Sequence, residues 1–181
     1  MQMLNKPSNW DTIEGAEFGS GTKLPPGPYS CRIMNAYAKD SQKGNPMLVL
    51  ELDIDSGEHV HFFNNKQKLA KFNQLTEGNS QKFFKGLINR IEESNPDYVF
   101  DFDLKSLINK RCCAVFREEE FVGENGAAVA VKIWYITSLQ KMQEGIEVPK
   151  IKKLSQEHSS QSNQQSYIGN EVSINDEDLP F

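Results

Sequence analysis

The sequence predicts a mainly β domain with one inserted helix, of the α+β class, on three observations. From Met47 to Asp55 every second side chain falls on an all-apolar face and the rest on a largely acidic one, residues 65–95 change to a helical period, and two further strand-like stretches meet at Asn125-Gly126. Alternation places every second side chain on one face of a pleated strand, whereas recurrence at three and four residues marks one face of a helix.

The elements follow in order. Leu24-Pro25-Pro26-Gly27-Pro28 is a rigid turn, after which Tyr29, Cys31 and Ile33 alternate as in a half-buried strand running to about Ala38. The alternation falters at Asn35 and Ala36, as it would at a β-bulge that coils a strand around a barrel. Lys39 to Asn45 is a polar loop. In the second strand Leu48, Leu50, Leu52 and Ile54 face one side, with Val49, Glu51, Asp53 and Asp55 on the other. Ser56-Gly57 turns the chain, and His59 to Phe63 is expected to return as a third strand. The helical period then holds Leu69, Phe72 and Leu75 in a first segment and Phe84, Leu87, Ile88 and Ile91 in a second, with Gly78 and Pro96 as stops. Asp103 is suited to cap a helical turn over Leu104 to Asn109. Arg111 to Phe121 and Ala127 to Leu139 are the last two strands, and Asn125-Gly126 is the pair best suited to a tight hairpin between them.

Three strands, a helix and two strands is the order of the five-stranded OB-fold barrel, whose ligands typically lie along strands 2 and 3 and the loops joining strands 1 to 2 and 4 to 5. Those loops are here Lys39 to Asn45 and Glu124 to Ala127. The chain divides into a polar N-terminal extension (1–23) holding an isolated Trp10, the barrel (24–154), a Ser/Gln/Asn-rich linker (155–175) too poor in apolar residues to fold, and an acidic tip (176–181). The linker and tip together are expected to form a disordered tail.

Composition narrows the function. The first residues lack a secretory pattern and no apolar run is long enough to span a bilayer, so a cytoplasmic protein without a membrane partner is expected. Cys31, Cys112 and Cys113 offer no Cys-x-x-Cys spacing for zinc or redox chemistry. Net charge is −5, unpromising for a polyanion binder, but residues 1–154 hold 20 basic and 20 acidic side chains while 155–181 hold five acidic and no basic ones. The body is neutral, and Lys66, Lys68, Lys71, Lys82, Lys85 and Arg90 cluster in residues 59–91 against Glu77 alone, so one side of it is expected to be positive.

Binding a single strand needs cations that follow phosphates and aromatic faces that stack on bases. The candidates are Phe63, expected to face outward from strand 3 while Phe62 and Val60 face inward, with Lys66, Lys68 and Lys71 after it. Lys39 and Lys43 lie in the first loop, and Lys132 and Trp134 share a face of strand 5. Glu51, Asp53 and Asp55 line the same outer face of strand 2 and oppose DNA there, which shifts the expected groove toward Met47 and Val49 or toward strand 5. Phe84 belongs to the core stripe of the helix.

Catalytic and metal readings are weaker. Pro96-Asp97 with Asp103-Leu104-Lys105 superficially resembles a metal-dependent nuclease pattern, but the gap is too short for two adjacent strands and Asp103 looks like a cap. No Ser-His-Asp, phosphate-loop or Cys-His arrangement competes, so no catalytic residue and no cofactor are expected. His59 and His61 would share a strand face and could supply two metal ligands, but no third is evident, and pairing with Asp53 is the plainer account.

Two stretches carry resemblances. Leu24-Pro25-Pro26-Gly27-Pro28-Tyr29, followed by Lys43-Gly44-Asn45-Pro46-Met47 and an alternating strand, resembles a family of phage proteins regarded as single-stranded DNA-binding proteins, over roughly residues 24–140. Asp176-Glu177-Asp178-Leu179-Pro180-Phe181 is similar to the C-terminal tip of bacterial single-stranded DNA-binding proteins, typically a run of Asp followed by Ile, Pro and Phe, from which Glu177 and Leu179 depart conservatively. The resemblance implies that Phe181 enters a pocket on replication or recombination partners while the acidic residues meet its basic rim. The expectation is a protein that coats single-stranded DNA during phage replication or recombination and recruits partners through the tip; self-association is compatible with it. The alternative is an adaptor whose barrel binds protein and whose tip competes for the host protein's partners.

Overall fold

The computed structural model describes residues 23–123 and 126–154, together with Ser8, Asp11 and Thr12. Five strands, β1 (Gly27–Asp40), β2 (Pro46–Ile54), β3 (Ala70–Leu75), β4 (Arg111–Gly123) and β5 (Gly126–Thr137), form one antiparallel sheet in the order β3-β2-β1-β4-β5. β1 serves both halves. Its first part, Gly27 to Arg32, pairs with Phe116 to Arg111 of β4, and from Cys31 to Asp40 it pairs with β2. A register shift between Ile33 and Asn35 bends the strand from one half to the other, at the place where the alternation falters in the sequence. The end strands β3 and β5 also touch, so the sheet wraps into a partly open barrel with the OB order.

The inward side chains of this barrel form the core. Leu48, Leu50, Leu52 and Ile54 of β2 meet Cys31 and Ile33 of β1, Ala114 and Phe116 of β4, and Ile133 and Ile136 of β5. Of the helices, α1 (Phe62–Asn65), α2 (Gln81–Glu93) and α3 (Leu139–Glu144), the second plugs the core with Leu87, Ile88 and Ile91, as its spacing predicts. Burying each such side chain is worth roughly 1.5–3 kcal/mol. Asn95 ends the helix and ties it to β4: its amide nitrogen donates to the carbonyls of Ile91 and Arg111, and its oxygen accepts from Arg111 N. Asp103 accepts from Lys105 N at 3.0 Å and caps a 3-10 turn, Leu104–Leu107, as expected.

One region departs from the reading of the sequence. His59 to His61 is a turn leading into α1, which takes in Phe62 and Phe63, rather than a strand, and the third strand is Ala70–Leu75, within the stretch read as a first helical segment. Asp53 causes the first difference. It is 2% exposed, and its Oδ1 accepts from the backbone amides of Phe63 and Asn64 while Oδ2 lies 3.3 Å from His61 Nδ1, which winds the chain into a turn. Positive φ at His61 and Gln67 interrupts any extended run. Gln74 causes the second. It faces inward opposite Leu48, buried because its amide donates to Leu75 O, and it hides the alternation of Ala70 and Phe72.

The fifth strand ends two residues before Leu139; Ser138 instead caps α3 by accepting from Lys141 N. The β4–β5 pairing reaches Gly123 opposite Gly126, so Asn125 of the expected turn falls outside the described residues, as do the linker and the tip. Lys152 adds a parallel bridge on the edge of β4 beyond the reach of β1, its amide donating to Glu118 O and its carbonyl accepting from Glu120 N. No helix among the described residues is long and apolar enough to cross a membrane.

Candidate nucleic-acid interface

The outer face of β1, β2 and β3 is built in three cross-strand rows. Asn35, Glu51 and Lys71 share one register, Tyr37, Val49 and Asn73 the next, and Lys39, Met47 and Leu75 the third. The bulge in β1 sets this up. Before it Cys31 and Ile33 point inward; after it Ala36 is the buried residue, so the parity is reversed and Tyr37 and Lys39 face out. Met47 and Val49 are buried but stand apart from the core cluster, making an uncharged middle to the face. Beyond Lys39 the chain makes a tight loop in which Gly44, at φ +78°, donates to Ser41 O at 2.9 Å, leaving Lys43 exposed at the tip.

The three acids that oppose DNA on this strand are all engaged. Glu51 lies 2.9 Å from Lys71 Nζ and accepts from Asn35 at 3.1 Å. The hydrogen bond from Lys71 is the main reason the Glu51 carboxyl titrates below its ordinary range, and the same bond raises Lys71. Asp53 is consumed by backbone amides. Asp55 lies against Arg111 and Ser30, each at 2.6 Å, with Arg32 at 3.6 Å; burial alone would raise its pKa, but the donors from Arg111 and Ser30 outweigh it and lower it. The face is therefore far less negative than its composition.

The other sequence candidates fall in two separate places. On β5, Lys132 and Trp134 share a face as expected, joined there by β4: Glu119 lies 3.4 Å from Lys132 and 3.0 Å from Arg117, and the Arg117 guanidinium sits 4.9 Å over the Trp134 ring. Phe63 lies in α1 and Lys66 directly after it, not on a strand, and the expected orientation is corrected. Phe63 stacks on buried Phe116 with ring centroids 5.5 Å apart, and it is Phe62 whose ring carries Lys66 Nζ at 4.0 Å. Phe62, Phe63, Val129 and Val131 line a cleft of about 240 Å³ that has Lys23 and Lys66 among its walls. Lys68 is exposed just ahead of β3, leading to Lys71.

The structure thus brings Lys39, Lys43, Lys68 and Lys71 to the edges of the β1–β2–β3 face, and adds Tyr37 and Asn73, which the sequence reading passed over. The signal for Tyr37 was present: a bulge at Asn35 reverses the parity of every residue after it. His59 and His61, expected on one strand face, lie in the turn, and no group of three or more His, Cys, Asp or Glu side chains suited to a metal occurs among the described residues.

No family model matches the sequence, and no curated protein matches it. Among solved structures, a chain from a complex described as yeast RPA bound to ssDNA is similar at 9% identity and a TM-score of 0.31, over 80% of this chain and 100% of that one.

Proposed function

We propose that this chain is a non-catalytic module that binds single-stranded DNA on the outer face of β1, β2 and β3. The observation that carries the reading is the face itself: Tyr37 beside an uncharged centre, with Lys39, Lys43 and Lys71 at its borders and the intervening acids engaged. Tyr37 would stack on a base and Lys39 and Lys43 would follow the phosphates, while Lys71 is held by Glu51 at the far border. Lys132 and Trp134 extend the track on β5, which neighbours β3 where the barrel closes. The setting we propose is phage replication or recombination in the host cytoplasm, with residues 176–181 recruiting partner proteins.

Fluorescence anisotropy of labelled oligo-dT, with duplex of equal length as control, tests this across a salt series using the full chain and residues 1–154. Preference for the single strand, weakening with salt by a slope of about −0.7 per phosphate contacted, supports the proposal. Equal affinity for duplex would overturn the single-strand preference, and no binding by either protein would favour the adaptor reading instead.

A further inference from the structure

Val99 and Phe102 are each 80% exposed in the connection from α2 to β4. Phe102 holds φ at +68°, uncommon for a bulky residue, and its ring leans on Phe100 at 5.2 Å. Phe100 is itself buried, with its amide donating to Glu92 of α2 at 2.8 Å, so this apolar knob is anchored from beneath while its outer surface is bare. Exposed Asp97, Asp101 and Asp103 flank it, and residues 92–103 contain no basic side chain.

The cleft by α1 has the opposite chemistry. Its floor is Phe62, Phe63, Val129 and Val131, and Lys23 and Lys66 border it. The aromatic rings there are already engaged with Phe116, His59 and Lys66, which suits the cleft to receive an apolar side chain better than to stack on a base. Glu118 also contributes to the wall, and its carbonyl holds the bridge to Lys152.

We infer that the Val99 and Phe102 knob of one copy enters the cleft of the next, so that the protein self-associates head to tail. Charge selects this occupant, because the acids around the knob meet the lysines bordering the cleft. β4 separates the two regions: Arg111, bonded to Asn95 at the end of α2, and Glu118, at the cleft, are roughly 23 Å apart at about 3.3 Å per residue. Two unlike surfaces make a heterologous contact, which builds a ring or a row of subunits rather than a closed dimer. The contact involves none of the side chains on the β1–β2–β3 face and stands without the DNA-binding proposal.

Sedimentation velocity of the full chain into the high micromolar range tests it, with Phe102→Ala as the knob variant and Lys23→Glu with Lys66→Glu as the cleft variant. All these positions are exposed, and circular dichroism checks that each variant folds. The wild type is expected to grow past dimer with concentration, and each variant to associate about tenfold or more weakly, as for a hot-spot contact. An equimolar mixture of the two variants should recover dimers and stop there, since each supplies one intact surface. A monomeric wild type, or a Phe102→Ala protein that associates like it, overturns the inference. So does association that survives Phe102→Ala but disappears when residues 176–181 are removed, which would assign the cleft to the tail.

Discussion

The outer face of β1, β2 and β3 and the segment from Asp97 to Asp103 carry the same kinds of residue, acids set among apolar and aromatic side chains, and use them in opposite ways. On the sheet Glu51, Asp53 and Asp55 are drawn into contacts with Lys71, with backbone amides and with Arg111, so the face is less negative than its composition. In the 97–103 segment the acids remain exposed beside Val99 and Phe102. An acid in a strand has donors on the neighbouring strand within reach. In an irregular connection it leans mostly on nearby backbone, as Asp101 and Asp103 show by accepting from amides two residues on. Net charge alone says little about which surface a polyanion would meet.

The widest difference between the regions should be in stability. Asp53→Ala removes the acceptor for the amides of Phe63 and Asn64 and the partner of His61, and unsatisfied buried groups cost roughly 1–3 kcal/mol each. Because Asn64 is exposed and water can replace part of the loss, we expect about 2–4 kcal/mol by urea denaturation, with loosening of α1. Asp97→Ala, on the exposed segment, should change stability by less than about 0.5 kcal/mol. Similar costs at both positions would erase the contrast.

The aromatic residues of the two regions should separate next, this time in binding. Tyr37→Ala is expected to weaken binding to oligo-dT by about 1–3 kcal/mol, the range for one stacked base, without changing its salt slope. Lys39→Ala and Lys43→Ala should each reduce that slope by about 0.7. Phe102→Ala should leave affinity for an oligonucleotide holding one protein unchanged. Loss of affinity in Phe102→Ala equal to that in Tyr37→Ala would move the DNA away from the sheet face.

Much of this arrangement was legible in the sequence, and the failures have physical causes. The alternating Leu48, Leu50, Leu52 and Ile54, the stripe of α2 and the Asp103 cap each depend on local spacing, which a sequence displays directly. The third strand was misplaced because its inward Gln74 is satisfied by a backbone carbonyl and reads as polar, while Asp53 reaches ten residues along the chain to bend His59–Phe63. The orientation of Phe62 and Phe63 followed that error. The exposure of Phe102 depends on tertiary cover, and no periodicity encodes that.

The smallest expected effect tests whether engaged acids matter to binding. Glu51 is held below the ordinary carboxylate range, first by the hydrogen bond from Lys71, so its contribution to stability is present above that range and is lost as pH falls through the depressed value. Lys71 is 57% exposed, so the pair is worth at most about 1 kcal/mol. Glu51→Gln should therefore cost little stability while releasing Lys71 for a phosphate. Binding to oligo-dT should tighten by a few fold, with a salt slope steeper by about 0.7. Wild-type affinity should also rise toward that of Glu51→Gln as pH drops below the carboxylate range, by more than the variant's own rise from its remaining acids. If the two proteins bind alike at every pH and salt concentration, Lys71 does not face the strand, and the track must leave the sheet before β3 and run along the loop that carries Lys43.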